Sequence, residues 1–484
     1  MTRTHRPRRS AALALAGASA LALAACSGAK YPNTIFTSHT DFNVDVGHLF
    51  GRLFFLATIV FVLVEALLLY AIFRYRSRPG QGDPEHVHGN TTLEILWTVI
   101  PAVILVFIAI PTVRTIFRTQ AKARPGALEV EVIGHQWWWE FKYPQFTSRG
   151  PTGKVDTLTT ANELYLPAGR TVNFALKSQD VIHSFWIPAL SGKRDVVPNH
   201  TNYLWFTPDS GVTDSTWNGH CAEYCGASHA NMKFRTYTVT PEEFDSWARG
   251  QQATAAFTAM APPAPPAPPA GTPAGTPPTE ASRAAAPANA QASQANVASA
   301  GPKGAAGVNP LPADAAARSS TQPTANAMNA GQVSAAAATG ATGAMAAGYI
   351  FPREKMPAHT VPSTPIPASL RINESLKGDP ARGEQAFVSC VGCHAVHGNP
   401  MALGIVGPNL THVGTRHTIG GGLFPNDTRH LTAWIKNARA MKPGIIMPTL
   451  GLNETDPTTK AKVTAGGLTD QQIADIVAYL QALK

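Results

Sequence analysis

Between His220 and Met232 the sequence reads HCAEYCGASHANM. Two thiols, two imidazoles, a carboxylate and a thioether fall within one short stretch, and soft sulfur ligands mixed with imidazole suit copper. A mononuclear copper electron-transfer site uses one thiolate, two histidines and a weak methionine. Here Cys221 and Cys225 offer two thiolates. With His229, Met232 and an earlier histidine they are enough for two copper ions bridged by both sulfurs. Zinc also accepts Cys and His, and a disulfide forms outside the cytoplasm, but neither accounts for Met232.

A second cluster, Cys390-Val391-Gly392-Cys393-His394, lies near the end of the chain. In C-x-x-C-H the two thiols attach a haem covalently and the histidine becomes one axial ligand. C-x-x-C also serves thioredoxin-like redox pairs, but the adjacent histidine and the helical surroundings speak for haem. The sixth iron ligand is assigned to Met447 in KPGIIMP, on a loop that can reach over the haem face. A thioether there raises the reduction potential. Met401, Met441, His397, His412 and His417 compete for the position.

Elements must carry these clusters to the right side of a membrane. The chain opens with MTRTHRPRRS, a run of Ala and Leu, and LAAC, which reads as an export signal over 1–25. Leu23-Ala24-Ala25-Cys26 resembles a bacterial lipobox, which implies that Cys26 is acylated and begins the mature chain. An N-terminal segment over 26–45 follows. Two apolar runs, 46–73 and 93–117, are each long enough to span a bilayer, which sets a membrane unit at 46–119. Arg74, Arg76 and Arg78 directly follow the first run, so the connecting loop is placed in the cytoplasm. Both ends of the chain then face outward. The net charge of +9 gives no basic groove for nucleic acid: four arginines sit in the signal and three mark the loop. All five cysteines have a role in this scheme.

Beyond the second run the pattern turns to strands. Leu128, Val130 and Val132 alternate with Glu129 and Glu131, and TVNFAL and KFRTYTVT are β-branched and aromatic. A compact all-β domain is expected over 120–250. From 251 to 369 the chain is rich in Ala, Pro, Gly, Ser and Thr. That composition cannot bury enough apolar surface to fold, so a disordered tether with ends on the order of 60 Å apart is expected. The tail, 370–484, reads as all-helical. One helix opens at Asp379-Pro380, a second spans 428–440 and stops before Pro443, and a third is capped by Thr469 with Gln472 in the capping box and Leu468 stapling against Ile473.

The spacing Cys221-x-Glu223-x-Cys225-Gly226-x-x-His229-x-x-Met232, preceded by GHQWWW and DVIHSF, closely resembles the CuA domain of cytochrome c oxidase subunit II, and the tail, with GPNL at 407–410, resembles a class I cytochrome c. The resemblance implies a multidomain membrane protein: a two-helix transmembrane hairpin, an all-β cupredoxin-like Greek-key domain, a disordered Pro/Ala linker and an all-α cytochrome c domain. In the family Cys221 and Cys225 bridge the coppers; His183 and Met232 complete one, and His229 with the Glu223 carbonyl completes the other. The family's Glu223 carboxylate also reaches a magnesium shared with the catalytic subunit. Trp137 matches the position where electrons enter, barrel packing being the alternative for the three tryptophans, and Glu94 matches the mouth of a proton path, though by itself it is a weak signal. The chain departs from the family at Lys193-Arg194-Asp195-Val196-Val197-Pro198-Asn199-His200, where Lys-x-Asp-x-x-Pro-Gly-Arg is usual; Asn accepts the turn that glycine would take.

The expected function is that of the electron-accepting subunit of a haem-copper terminal oxidase of caa3 type. Electrons pass from the chain's own haem c through CuA to subunit I, which reduces oxygen with proton translocation. Subunit III, a cytochrome c or bc1-type donor and the bacterial plasma membrane are the expected partners, with both redox domains on the periplasmic side. A nitric oxide reductase subunit and a copper-delivery lipoprotein are the alternatives; the C-x-x-C-H motif does not suit the second.

Overall fold

The computed structural model describes residues 33–76, 79–80, 82, 86, 88–120, 125–149, 155–255 and 348–484, with Gly17 alone before them. The export signal, Cys26, Arg78 and most of the tether fall outside the described residues.

Two long apolar helices come first, α1 (Asp41–Arg74) and α2 (Thr91–Gln120). Both are long and apolar enough to cross a membrane, and their side chains stay exposed along most of their length. The first helix begins at Asp41 rather than at residue 46. Thr40 caps it, its hydroxyl accepting from Asn43 N (3.1 Å) while donating to Leu190 O (2.6 Å). Phe42 is buried in the β domain's core, and Asp41 accepts from Thr207 N (2.8 Å). The helix therefore starts inside the domain it anchors. At its return α2 is held by an Arg118–Asp45 ion pair (2.8 Å) and by Trp205 Nε1 donating to Arg118 O (3.2 Å).

The β domain is two five-stranded sheets packed face to face. One has the order β3 (Val155–Ala161), β2 (Trp138–Arg149), β1 (Leu128–His135), β5 (Val172–Ser178), β8 (Asn202–Phe206). The other runs β4 (Glu163–Pro167), β10 (Lys233–Val239), β9 (Ser215–Cys221), β6 (His183–Trp186), β7 (Arg194–Val196). The pairs β1–β5 and β4–β10 are parallel and the rest antiparallel, which gives the cupredoxin-like sandwich. In β1, Leu128, Val130 and Val132 point inward. Glu129 and Glu131 take up Asn173 and Lys177 (both 2.8 Å) on the outer face. Trp139, Phe141, Phe185 and Phe234 fill the space between the sheets with edge-on and stacked ring pairs. Helix α3 (Pro241–Gln252) closes one end under a Thr240–Glu243 capping box.

The haem-motif domain holds α4 (Pro380–Ala386), the hairpin β11 (Thr418–Ile419) and β12 (Phe424–Pro425), α5 (Thr428–Met441) and α6 (Asp470–Ala482). Thr469 and Gln472 form the expected capping box, with Leu468 and Ile473 both buried. Helix α5 leaves helical geometry at Asn437 (φ −154°), whose side chain accepts from Ala440 N and Thr449 Oγ1 instead. Arg382 pairs with the buried Asp475 (2.9 Å), joining α4 to α6.

The tether boundaries need correction. Helix α3 runs to Gln252, and residues 348–369 carry two short 3-10 turns with Phe351 fully buried. Composition averaged over 251–369 concealed the apolar Tyr349-Ile350-Phe351, which finds a place against Tyr165 and Tyr237.

Trp139→Ala removes the largest fully buried side chain and should cost ~3–5 kcal/mol of stability, read as a lower denaturant midpoint in the β-sheet circular dichroism.

Candidate functional site

The sulfur-rich loop is the connection between two paired strands. Cys221 ends β9, the loop makes a 3-10 turn at His229–Asn231, and Lys233 starts β10. Cys221 N donates to Met232 O (3.0 Å), closing the loop at its neck, and Lys233 stands opposite His220 in the ladder. His183 opens β6, where Phe185 pairs with Cys221 and Ala222 N donates to Ser184 O (2.9 Å). Strand register thus brings a histidine remote in sequence to the loop.

The two thiol sulfurs lie 3.8 Å apart, far beyond the ~2.05 Å of a disulfide. His183 Nδ1 is 3.9 Å from Cys221 Sγ, His229 Nδ1 3.7 Å from Cys225 Sγ, and Met232 Sδ 3.8 Å from Cys225 Sγ. Glu223 O is 3.2 Å from Cys221 Sγ. A metal with bonds of ~2.0–2.3 Å to nitrogen and sulfur can span each of these sulfur–donor separations. His183, Cys221 and Cys225 converge as a ligand cluster, and Met232 is fully buried beside it. The donor set fits a thiolate-bridged copper pair, and all six positions named from the sequence come together.

Electrostatics prepare the site. The hydrogen bond between the sulfurs pulls the Cys221 thiol well below its ordinary range and pushes Cys225 up, so without metal the pair holds one proton. Metal binding must release it, making affinity fall in acid. Burial, the largest single influence, disfavours protonated His183, yet its hydrogen bonds to Asp180 and Cys221 together with the charges of both outweigh it and hold the pKa above the ordinary value. Asp180 Oδ1 lies 2.7 Å from His183 Nε2, which leaves Nδ1 for the metal. A carboxylate behind a ligand histidine fixes its tautomer and raises its basicity. Asp180 was missed in the sequence; its position three residues before the histidine was the available signal.

The three tryptophans separate. Trp139 is core, edge-on to His183 and Phe234. Trp138 stacks on His135 at 4.1 Å. Trp137 donates from Nε1 to Cys225 O (2.9 Å), directly on a ligand residue. Glu223 and Tyr224 point outward and exposed. Glu94 is exposed in the first turn of α2. Asn199 takes φ +58°, the left-handed turn expected of it.

In the haem-motif domain, Cys390 to His394 form one tight turn, with Cys393 N and His394 N both donating to Cys390 O. His394 Nδ1 donates to Pro408 O (2.8 Å), so Nε2 is the nitrogen left for iron. Burial lowers the His394 pKa and keeps it neutral. A side chain at Gly407 would strike the imidazole, its Cβ 2.5 Å from Cε1, so the ring is cradled. These residues fit a covalently held haem. Met447 is half-buried, in a loop fixed by Arg439, which donates to Ile445 O and Ile446 O (3.3 and 3.1 Å). Competitors are placed elsewhere: Met441 lies in the domain core, His412 Nε2 is 3.0 Å from Ala253 O, Arg353 donates to His417, and Met401 is exposed. His397 Nε2 lies 3.6 Å from Asp156.

A two-helix membrane unit, a cupredoxin-like sandwich with a two-cysteine ligand loop, and a helical C-x-x-C-H domain define a membrane-anchored redox protein carrying its own cytochrome. Family models agree: the periplasmic domain of cytochrome c oxidase subunit II matches residues 128–239, its transmembrane domain 36–115, and cytochrome c 380–484. A probable cytochrome c oxidase subunit 2 of Rickettsia bellii is 34% identical over 215 residues, covering 42% of this chain and 78% of that one. The chain belongs to the cytochrome c oxidase subunit II family, with a cytochrome c domain joined to it. Cytochrome c oxidase subunit 2 of Alkalihalophilus pseudofirmus is 39% identical over 201 residues, 40% of this chain and 55% of that one. With 51% for the Bacillus sp. relative, the chain spans about half the length of the first curated relatives it matches. The solved periplasmic domain of subunit II of cytochrome oxidase from Bradyrhizobium japonicum is 28% identical, with a TM-score of 0.22, covering 26% of this chain and 96% of that one. The two domains imply CuA and haem c as cofactors.

Asp180→Asn should weaken copper binding by about 10- to 100-fold, measured by metal titration, while haem content stays unchanged.

Proposed function

We propose that this chain is the electron-accepting subunit of a haem-copper terminal oxidase of caa3 type, relaying electrons from its own haem c through CuA to a catalytic subunit that reduces oxygen to water and translocates protons. The observation that carries the reading is the convergence of Cys221, Cys225, His183, His229, Met232 and the Glu223 carbonyl in a chain that also bears the haem-attachment turn. When bound, the copper pair and the haem each take up and give back single electrons. The ligands come wholly from the protein, which suits a relay rather than a substrate site.

The chain's own residues set the conditions. Asp180 orients His183 and Pro408 orients His394. The Cys390 and Cys393 thiols would hold the haem, with His394 and Met447 as its further donors. Trp137, bonded to the Cys225 carbonyl, is the point where electrons enter the copper domain. The exposed Glu223 carboxylate is available to a magnesium shared with the catalytic subunit, and Glu94 stands at the mouth of a proton path. Subunits I and III complete the complex, a soluble cytochrome c or bc1-type complex reduces the tail, and the assembly sits in the bacterial plasma membrane with both redox domains on the periplasmic side. Acylated Cys26 adds a second anchor.

Two measurements test this reading. Paramagnetic resonance of the copper-loaded β domain should show hyperfine splitting by two equivalent nuclei; splitting by a single nucleus would sink the relay. Met447→Ala should abolish the sulfur-to-iron charge-transfer band and lower the haem potential; a retained band would reassign the sixth ligand.

A further inference from the structure

The surface of the copper domain that presents Trp137 and the ligand loop is covered by the haem domain, through buried and committed groups. Glu163, at the start of β4, is 3% exposed. Its Oε1 accepts from His417 N (2.7 Å), Thr418 N (2.9 Å) and Thr418 Oγ1 (3.3 Å), all in the haem domain. A carboxylate this deep is tolerated only where donors meet it, and both backbone donors belong to the other domain. Arg235, in β10 and 4% exposed, donates from Nη2 to Gly422 O (3.2 Å).

Beside this pair the two ligand loops themselves touch. Ser228, between Cys225 and His229, is fully buried and donates to Pro443 O (2.5 Å). Lys442 Nζ donates to Trp137 O (2.5 Å) and Gly420 O (3.1 Å). A Cβ at Gly444 would lie 2.8 Å from Trp137 Cη2, so the loop leading to Met447 lies flat on the indole. Lys233 N donates to Gly421 O (3.0 Å). Gly421 has φ +78°, and a Cβ there would come within 3.3 Å of the carbonyls of Asn231 and Trp137. Ala438 and Ile445 join the apolar cluster that contains Trp137. The described end of the tether straps the same seam: Phe351 N donates to Tyr165 OH, Arg353 Nη2 to Asn426 O, and Thr360 O accepts from Arg235 Nε.

We infer that the haem domain is a permanently seated donor, latched by Glu163 in one docked position that closes the copper domain's Trp137 face to soluble donors, rather than a tethered partner that visits by diffusion. This rests on the relay reading above and deepens it: exogenous electrons reach copper only through the haem of the same chain. Complementary buried polar groups fix register and specificity in this way. Glu163 is a positioning residue, acting on the relay through the haem domain it holds.

The test uses the full membrane chain with a protease site placed within residues 256–347. After cleavage, the severed tail should co-elute with the copper-bearing part at nanomolar concentration and at high salt. Glu163→Ala should weaken this association by about 100-fold or more, since a buried charged acceptor is lost, while copper and haem spectra are retained. Glu163→Gln, which keeps an accepting oxygen, should restore part of it. Gly421→Ala attacks the same contact from the haem side and should also release the tail. Separation of the wild-type tail after cleavage overturns the seat, and co-elution of both the Glu163→Ala and Gly421→Ala tails at wild-type strength overturns the latch. Absence of either the copper or the haem signal in the wild-type chain would instead count against the relay reading itself.

Discussion

Two cysteine sulfurs held 3.8 Å apart with no covalent bond between them are the constraint from which the rest of the molecule follows. Bringing thiolates that close inside an apolar core is unfavourable unless something positive is shared between them, a proton or a metal. The sandwich supplies the rigidity. The Cys221 N to Met232 O bond closes the neck of the loop, the β6–β9 pairing sets His183 beside it, and Trp139 packs against the back of that histidine. Preorganised ligands change little as the metal gains or loses an electron, which is what a rapid one-electron carrier requires.

The haem-motif domain follows the same logic with different parts. Pro408 O and Gly407 confine the His394 ring, and Arg439 ties down the loop that bears Met447 while pairing with Asp456 (2.7 Å). In each domain a ligand histidine is oriented by an acceptor on its far nitrogen, a carboxylate in one and a carbonyl in the other. The difference matters electrostatically: the carboxylate adds negative charge beside a site that already holds thiolates, whereas the carbonyl adds none, and burial holds the haem histidine's pKa below its ordinary value.

The ligand positions were legible because coordination chemistry imposes short spacings: Cys221 to Met232 and Cys390 to His394 are each continuous in sequence. Strand alternation in β1 and the Thr469 cap were legible for a similar reason, since their periods are local. His183 became legible only through family resemblance, because its partner Cys221 is remote in sequence and strand register alone unites them. Glu163 and Arg439 were not legible, each an ordinary charged residue whose role appears only when another element folds against it, and Asp180 offered no more than its spacing of three from His183. The misplaced end of the tether has a comparable cause: a few aromatic residues with a surface to meet outweigh a long average composition.

The first turn of α1 bears on how the copper site stands over the bilayer. Thr40, Asp41 and Phe42 are built into the sandwich while the same helix continues toward the lipid, and Trp205 clasps the return of α2. Nothing resembling a hinge separates anchor from barrel among these residues. The height and tilt of the metal loop are thereby set by the helix pair, as a lamp is set by its post. Tunnelling rates decay exponentially with distance, so a fixed mounting converts the geometry of the membrane helices into a fixed transfer time.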